Sequence, residues 1–156
     1  MSDDGFNNPG EFVALPGHKS RFVFTGFFYP DQAGLVRDAA ARTVIQDMEA
    51  HYRTNFHRAD LPLGWYGSDR VPPGTALSYD ALHVIAAALQ AAGAHPRPQG
   101  VRDALAAIGT TAPAYQGATG RIAFDANGDP VDKALLVMHL DANGRTHMDG
   151  FLGTFR

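Results

Sequence analysis

The chain has 156 residues, 13 lysines and arginines against 16 acidic residues, 45% hydrophobic content and no cysteine. Such a composition describes one globular domain with enough apolar side chains to bury a core. The formal net charge of −3 gives no electrostatic basis for binding nucleic acid or an anionic membrane, and the missing thiol excludes disulfides, thiolate catalysis and cysteine zinc sites.

No apolar run is long enough to span a bilayer. The acidic opening Met1-Ser2-Asp3-Asp4-Gly5 is not followed by a signal-peptide h-region, so the chain expressed as written is expected in the cytoplasm. In chain order, residues 7–19 carry Pro9, Gly10, Pro16 and Gly17 and read as loop. Arg21 to Phe28 is aromatic and β-branched, a buried strand ended by Pro30. From Gln32 to about Phe56 there is no proline, and Ala41, Ile45, Met48, Tyr52 and Phe56 recur at helical spacing. That pattern predicts a long helix with Arg42, Asp47, Glu49 and Arg53 facing solvent.

A loop from Arg58 to Gly74 follows, rich in proline and glycine and holding the sole tryptophan, Trp65, beside Tyr66. Long loops in compact domains are often functional. The second helix is expected to start near Thr75 or Ser78, with Asp80 in its first turn and Leu82, Ile85 and Leu89 as its buried stripe. Gly93 ends it. Beyond a Pro96/Pro98 linker, Val101 to Ile108 forms a third, shorter helix. The rest is β-rich: Ile122 to Phe124, Ala134 to Leu140, and Thr146 to Phe151 after an Asn143-Gly144 hairpin turn.

Several constellations invite chemistry and are answered by their spacing. Asp125, Asn127 and Asp129 have the one-three-five spacing of a calcium loop, but Pro130 and Leu136 stand where such a loop needs glycine and glutamate. A turn is the better reading, with Gly128 at its fourth position. His51 and His57 fall on different sides of a helix. A two-residue Asn143-Gly144 loop pairs His147 with Leu140, which would point His139 and His147 to opposite faces. None of the four serines sits in a nucleophile elbow, and no phosphate loop follows a strand. An enzyme reading has no positive support, and no cofactor or metal is implied. The aromatics Phe22, Phe24, Phe27, Phe28, Tyr29, Trp65 and Tyr66 suit either core packing or one wall of an apolar ligand cleft.

The order of these pieces resembles the C-terminal part of a type I periplasmic solute-binding protein of the branched-chain amino acid and amide class. The Tyr79-Asp80-Ala81-Leu82-His83-Val84 helix, the Val101-Arg102-Asp103-Ala104-Leu105 helix and the Thr119–Pro130 strand and turn carry the likeness, which extends over nearly the whole chain. Met48-Glu49-Ala50-His51-Tyr52 is similar to the family's long first-lobe helix. The resemblance implies an α/β fold: a C-terminal portion of a two-lobed molecule, with three helices, a strand and a C-terminal β-hairpin. Residues 1–30 would belong to the second lobe, 31–118 to the first, and 119–156 to a hinge crossing and the second lobe's last strands.

Such proteins are not enzymes. Their lobes close on a small ligand, here an amino acid or amide-like molecule, and present it to an ABC permease or signalling partner in the periplasm. The ligand-contacting positions the resemblance implies are Asp4, which would hold the ligand ammonium, Ala76 and Tyr79 on the second helix, and Trp65, which would fill the space a small Ala76 leaves. The family's leading first-lobe half has no counterpart here. The isolated chain is therefore expected to be aggregation-prone, rearranged or partner-dependent, with self-association through exposed apolar surface. Two rivals stand beside this reading: a truncated or split remnant without a ligand of its own, and a small hydrolase with an unrecognised histidine or carboxylate site.

Overall fold

The structure, a computed structural model, describes residues 23–28, 32–34, 36–56, 71, 73–140 and 146–153. Strand β1 (Val23–Gly26) is followed by a 3-10 turn at Gln32–Gly34 and then by helix α1 (Ala39–Asn55). Helices α2 (Pro73–Ala91) and α3 (Pro98–Ala107) come next. Strands β2 (Tyr115–Gly117) and β3 (Gly120–Ile122) form an antiparallel pair. Strands β4 (Leu135–Leu140) and β5 (Thr146–Leu152) complete a second antiparallel sheet in the order β1-β4-β5. Strand β1 lies antiparallel to β4, so the predicted strand and the C-terminal hairpin share one sheet.

α1 begins at Ala39, later than the unbroken apolar pattern predicts. The Asp38 carboxylate accepts the Ala41 amide at 2.7 Å and caps the helix there. Ala41, Ile45, Met48 and Tyr52 are buried as their spacing predicts. Phe56 is not, because it sits past the helix end and is 53% exposed. Glu49, expected on the solvent face, is buried, and its carboxylate takes a 3.2 Å ion pair from Arg53 one turn on.

α2 differs most from its sequence pattern. It starts at Pro73, since proline fits a first turn whose amides lack partners in any case. The predicted loop therefore ends earlier, and Asp80 falls well inside the helix instead of in its first turn. The expected buried stripe is on the outside: Leu82 is 68% exposed, Ile85 46% and Leu89 41%. The face turned inward is the four-residue row Ala76, Asp80, Val84 and Ala88. Small side chains in that row let the helix axis approach its neighbours closely, and close packing outweighs side-chain size. Leu82→Gln is accordingly expected to change the stability of the isolated chain by no more than about 0.5 kcal/mol in denaturant unfolding. A larger loss would return Leu82 to the core.

One core cluster joins α1 to α2 through Ile45, Met48, Tyr52 and Ala76, with Phe28 and Ala118 included. A smaller one, Val84, Ile108 and Ile122, joins α2 to the end of α3 and to β3, with Tyr115 and Leu105 packed against it. α3 starts at Pro98, one turn before the predicted Val101, again with proline in the first turn. Gly93, at φ +91°, follows the end of α2 as expected.

The β4–β5 register differs from the two-residue-loop expectation. Leu136 pairs with Phe151 and Val137 with Gly150, as that loop requires, but the register then shifts and His139 faces His147. The bulge leaves Asp149 as the extra residue. It puts the two imidazoles on one face, with ring centroids 5.2 Å apart, and brings His139 Nδ1 within 2.7 Å of the Asp149 carboxylate. The 125–130 turn follows the sequence reading. Asp125 Oδ1 accepts the amides of Asn127 and Asp129, and Gly128 takes φ +89°.

Candidate functional site

α2 has one carboxylate in its 19 residues, Asp80, and no lysine or arginine. It lies on the inward row, 3% exposed. Its oxygens accept the Ala118 amide at 2.7 Å and the Thr119 amide at 2.8 Å, and also a short bond from the Thr119 hydroxyl. Ala118 and Thr119 form the turn between β2 and β3, so Asp80 fastens the middle of α2 to the tip of that hairpin. Gly120, at φ +95°, leaves the turn in a backbone conformation that residues with a Cβ rarely adopt. On the other side of the turn, a Cβ at Gly117 would stand 2.5–2.6 Å from the Asp80 carboxyl atoms. Glycine is required there by the carboxylate's close approach.

Lys133 completes the cluster by donating to the fully buried Thr119 hydroxyl oxygen. Burial pushes the Lys133 ammonium below its ordinary 10.5, and the nearby Asp80 pulls the other way. A lysine with a lowered folded pKa binds more protons in the unfolded chain, so stability rises with pH from that folded value up to 10.5. Tyr79 and Tyr115 have the opposite sign. Burial first, then neighbouring acidic groups, raise both above 10.0, so their contribution is lost as pH climbs past that value. Unfolding free energy should therefore rise on the alkaline side below 10.0, and Lys133→Met should flatten that rise.

The residues expected to touch ligand are only partly gathered here. Tyr79 and Ala76 share α2, three residues apart. Tyr79 is half-buried against the larger core, its ring 4.3 Å from that of His83, and Asp47 of α1 and Tyr115 of β2 both act electrostatically on its phenol. Ala76 has no exposed surface within the chain and packs in the core. Asp4 and Trp65 lie outside the described residues. The polar centre itself was not foreseen, although the signal existed: a lone carboxylate inside a long, otherwise uncharged helix needs a partner. Among the described residues no group of three or more histidines and carboxylates is placed to hold a metal. None of their helices is long and apolar enough to cross a membrane.

No family model matches the sequence, and no curated protein matches it. Solved structures do. The chain superposes on the crystal structure of a Rhodospirillum rubrum protein assigned to branched-chain amino acid ABC transport, with a TM-score of 0.58 and 21% identity. The match covers 94% of this chain and 35% of that one. This is an α/β portion of a periplasmic-binding-protein fold. The chain thus spans about a third of that protein's length, and the likeness at this identity concerns the fold alone.

Proposed function

We propose that these residues belong to the ligand-binding component of an ABC-type amino acid or amide uptake system, or of a related sensor. The observation that carries this reading is the continuity of the fold likeness over 94% of the chain. Residues 1–30 and 119–156 would then serve the second lobe and the last hinge crossing, and 31–118 the first lobe. The Asp80-held hairpin suits that arrangement, because a turn clamped to a helix gives a hinge strand a fixed base from which to swing. Binding, with no chemical step, is the activity assigned. Tyr79 offers an aromatic wall, Asp4 an acceptor for the ligand ammonium, and Trp65 with Ala76 the side-chain pocket. The intact protein would work outside the cytoplasm and hand its ligand to a permease or signalling partner.

The test is calorimetric titration of the protein recovered from its own cells with leucine, isoleucine, valine and their amides. At least one should give saturable heat. Tyr79→Ala should weaken it tenfold or more, about 1.4 kcal/mol, while Tyr79→Phe keeps most of the affinity. Cooperative melting without saturable heat from any of the six would sink the reading. The outward stripe of α2 favours one alternative, a remnant that associates with other polypeptide and binds no solute, which that same outcome would support.

A further inference from the structure

The bulge between β4 and β5 gathers three polar side chains, His139, His147 and Asp149, on the sheet face opposite the buried Leu136 and Met138. His139 and His147 are directly opposed in the register, their rings 17° from parallel with centroids 5.2 Å apart. Directly opposed positions bring Cβ atoms within about 4.5–5.5 Å, close enough for two imidazoles to share one ion. Without the extra residue the two rings would lie on opposite faces, so the irregularity itself builds the pair.

Asp149 Oδ1 lies 2.7 Å from His139 Nδ1. An ionised carboxylate can only accept, so Nδ1 carries the hydrogen and Nε2 of the neutral ring keeps a lone pair. Metal-ligating histidines are held in this way: the far nitrogen donates to a carboxylate, which fixes the tautomer and makes the ligating nitrogen more basic. The spacing fits the same chemistry. Two imidazole nitrogens at about 2.1 Å from a tetrahedral ion set their ring centres about 5 Å apart, against the 5.2 Å found here.

We propose that His139 and His147 chelate one divalent transition-metal ion, with Asp149 as a positioning residue and water completing the coordination. Imidazole donors suit copper, nickel and zinc, and Cu2+ leads that order of affinity. Among the described residues no third histidine or carboxylate is placed to join them, so the site is open and exchangeable, unlike a closed structural centre. His147 is exposed and the His139 side chain is 34% exposed, which gives an ion access from solvent. An ion held by both strands fastens β5 to β4 and stabilises the folded chain. Neither the fold likeness nor solute binding enters this argument.

The probe is Cu2+ alone, titrated into the protein recovered from its own cells after chelator treatment, with Zn2+ as the second ion. The expected result is one saturable Cu2+ per chain, bound more tightly than Zn2+, with an electron paramagnetic resonance spectrum showing two imidazole nitrogens. His139→Gln and His147→Gln should each weaken Cu2+ about tenfold or more and leave one nitrogen in the spectrum. His95→Gln, at an exposed position between α2 and α3, should change neither. Asp149→Asn should weaken binding about tenfold or more with both nitrogens retained, which separates positioning from ligation. In the unmutated protein, Cu2+ should protect His139 and His147 from histidine acylation read by peptide mass, a check that needs no variant to fold.

Absence of saturable Cu2+, binding that survives either histidine substitution, or acylation unchanged by the ion overturns the site. One Cu2+ per two chains with a doubled mass also overturns it, because the ion then bridges copies. Unchanged affinity in Asp149→Asn overturns the positioning role.

Discussion

Asp80→Ala is expected to lower the unfolding free energy by about 3–5 kcal/mol, the range seen when one partner of a buried charged cluster is removed. Two buried amides, Ala118 and Thr119, lose their acceptor together, and the Thr119 hydroxyl must find another. Each unsatisfied buried donor costs about 1–3 kcal/mol. Lys133 adds to the loss, because the group that offsets its burial is gone. Asp80→Asn keeps the volume and one good acceptor but turns an NH2 toward donors, so it should fall between wild type and alanine. Denaturant midpoints for the three proteins settle the order. An alanine variant within about 1 kcal/mol of wild type would mean that water replaces the carboxylate and that the hairpin is not fastened to α2.

The second large effect is expected at Gly109→Ala. Gly109 sits at φ +83°, where the chain leaves α3 and meets Ala123 and Phe124, the residues just past β3. Its amide is held by the Ala112 carbonyl, and the neighbouring Ile108 carbonyl accepts the Phe124 amide. An added Cβ would stand 2.3 Å from the Ala123 Cβ and 2.8 Å from its Cα. Left-handed backbone costs a residue with a side chain about 1–2 kcal/mol, and overpacking at a rigid contact costs about 1–3 kcal/mol more. The sum, about 2–5 kcal/mol, should appear as a lowered denaturant midpoint with an unchanged slope. Ala123→Gly in the same chain should recover part of the loss by removing the contact, leaving the backbone cost.

α1 was legible because Ala41, Ile45, Met48 and Tyr52 obey one period and are the residues buried along it. The Asp125 turn was legible because its polar groups are satisfied within a few residues. α2 misled because the pattern marks two apolar faces and size alone favours Leu82, Ile85 and Leu89. Which face turns inward depends on partners far along the chain, among them the β2–β3 hairpin, and no local spacing encodes them. The same distance hid the role of Asp80, whose acceptors' donors lie 38 and 39 residues away. The His139–His147 pair was missed for a local reason: a single extra residue, Asp149, shifts the register, and a side-chain period of two turns any one-residue slip into a change of face. Of the ligand positions, the structure speaks to Ala76 and Tyr79, and the sequence could not separate a pocket alanine from a core one.

The proposed function requires that the molecule hold a small solute. Native mass spectrometry of the protein recovered from its own cells tests it without choosing the ligand in advance. The expected result is a complex heavier than the polypeptide by one amino acid or amide-like molecule, displaced by excess of a competing member of that class and lost in Tyr79→Ala. A polypeptide that carries no small molecule, and gains none when leucine, isoleucine, valine or their amides are added, would contradict it.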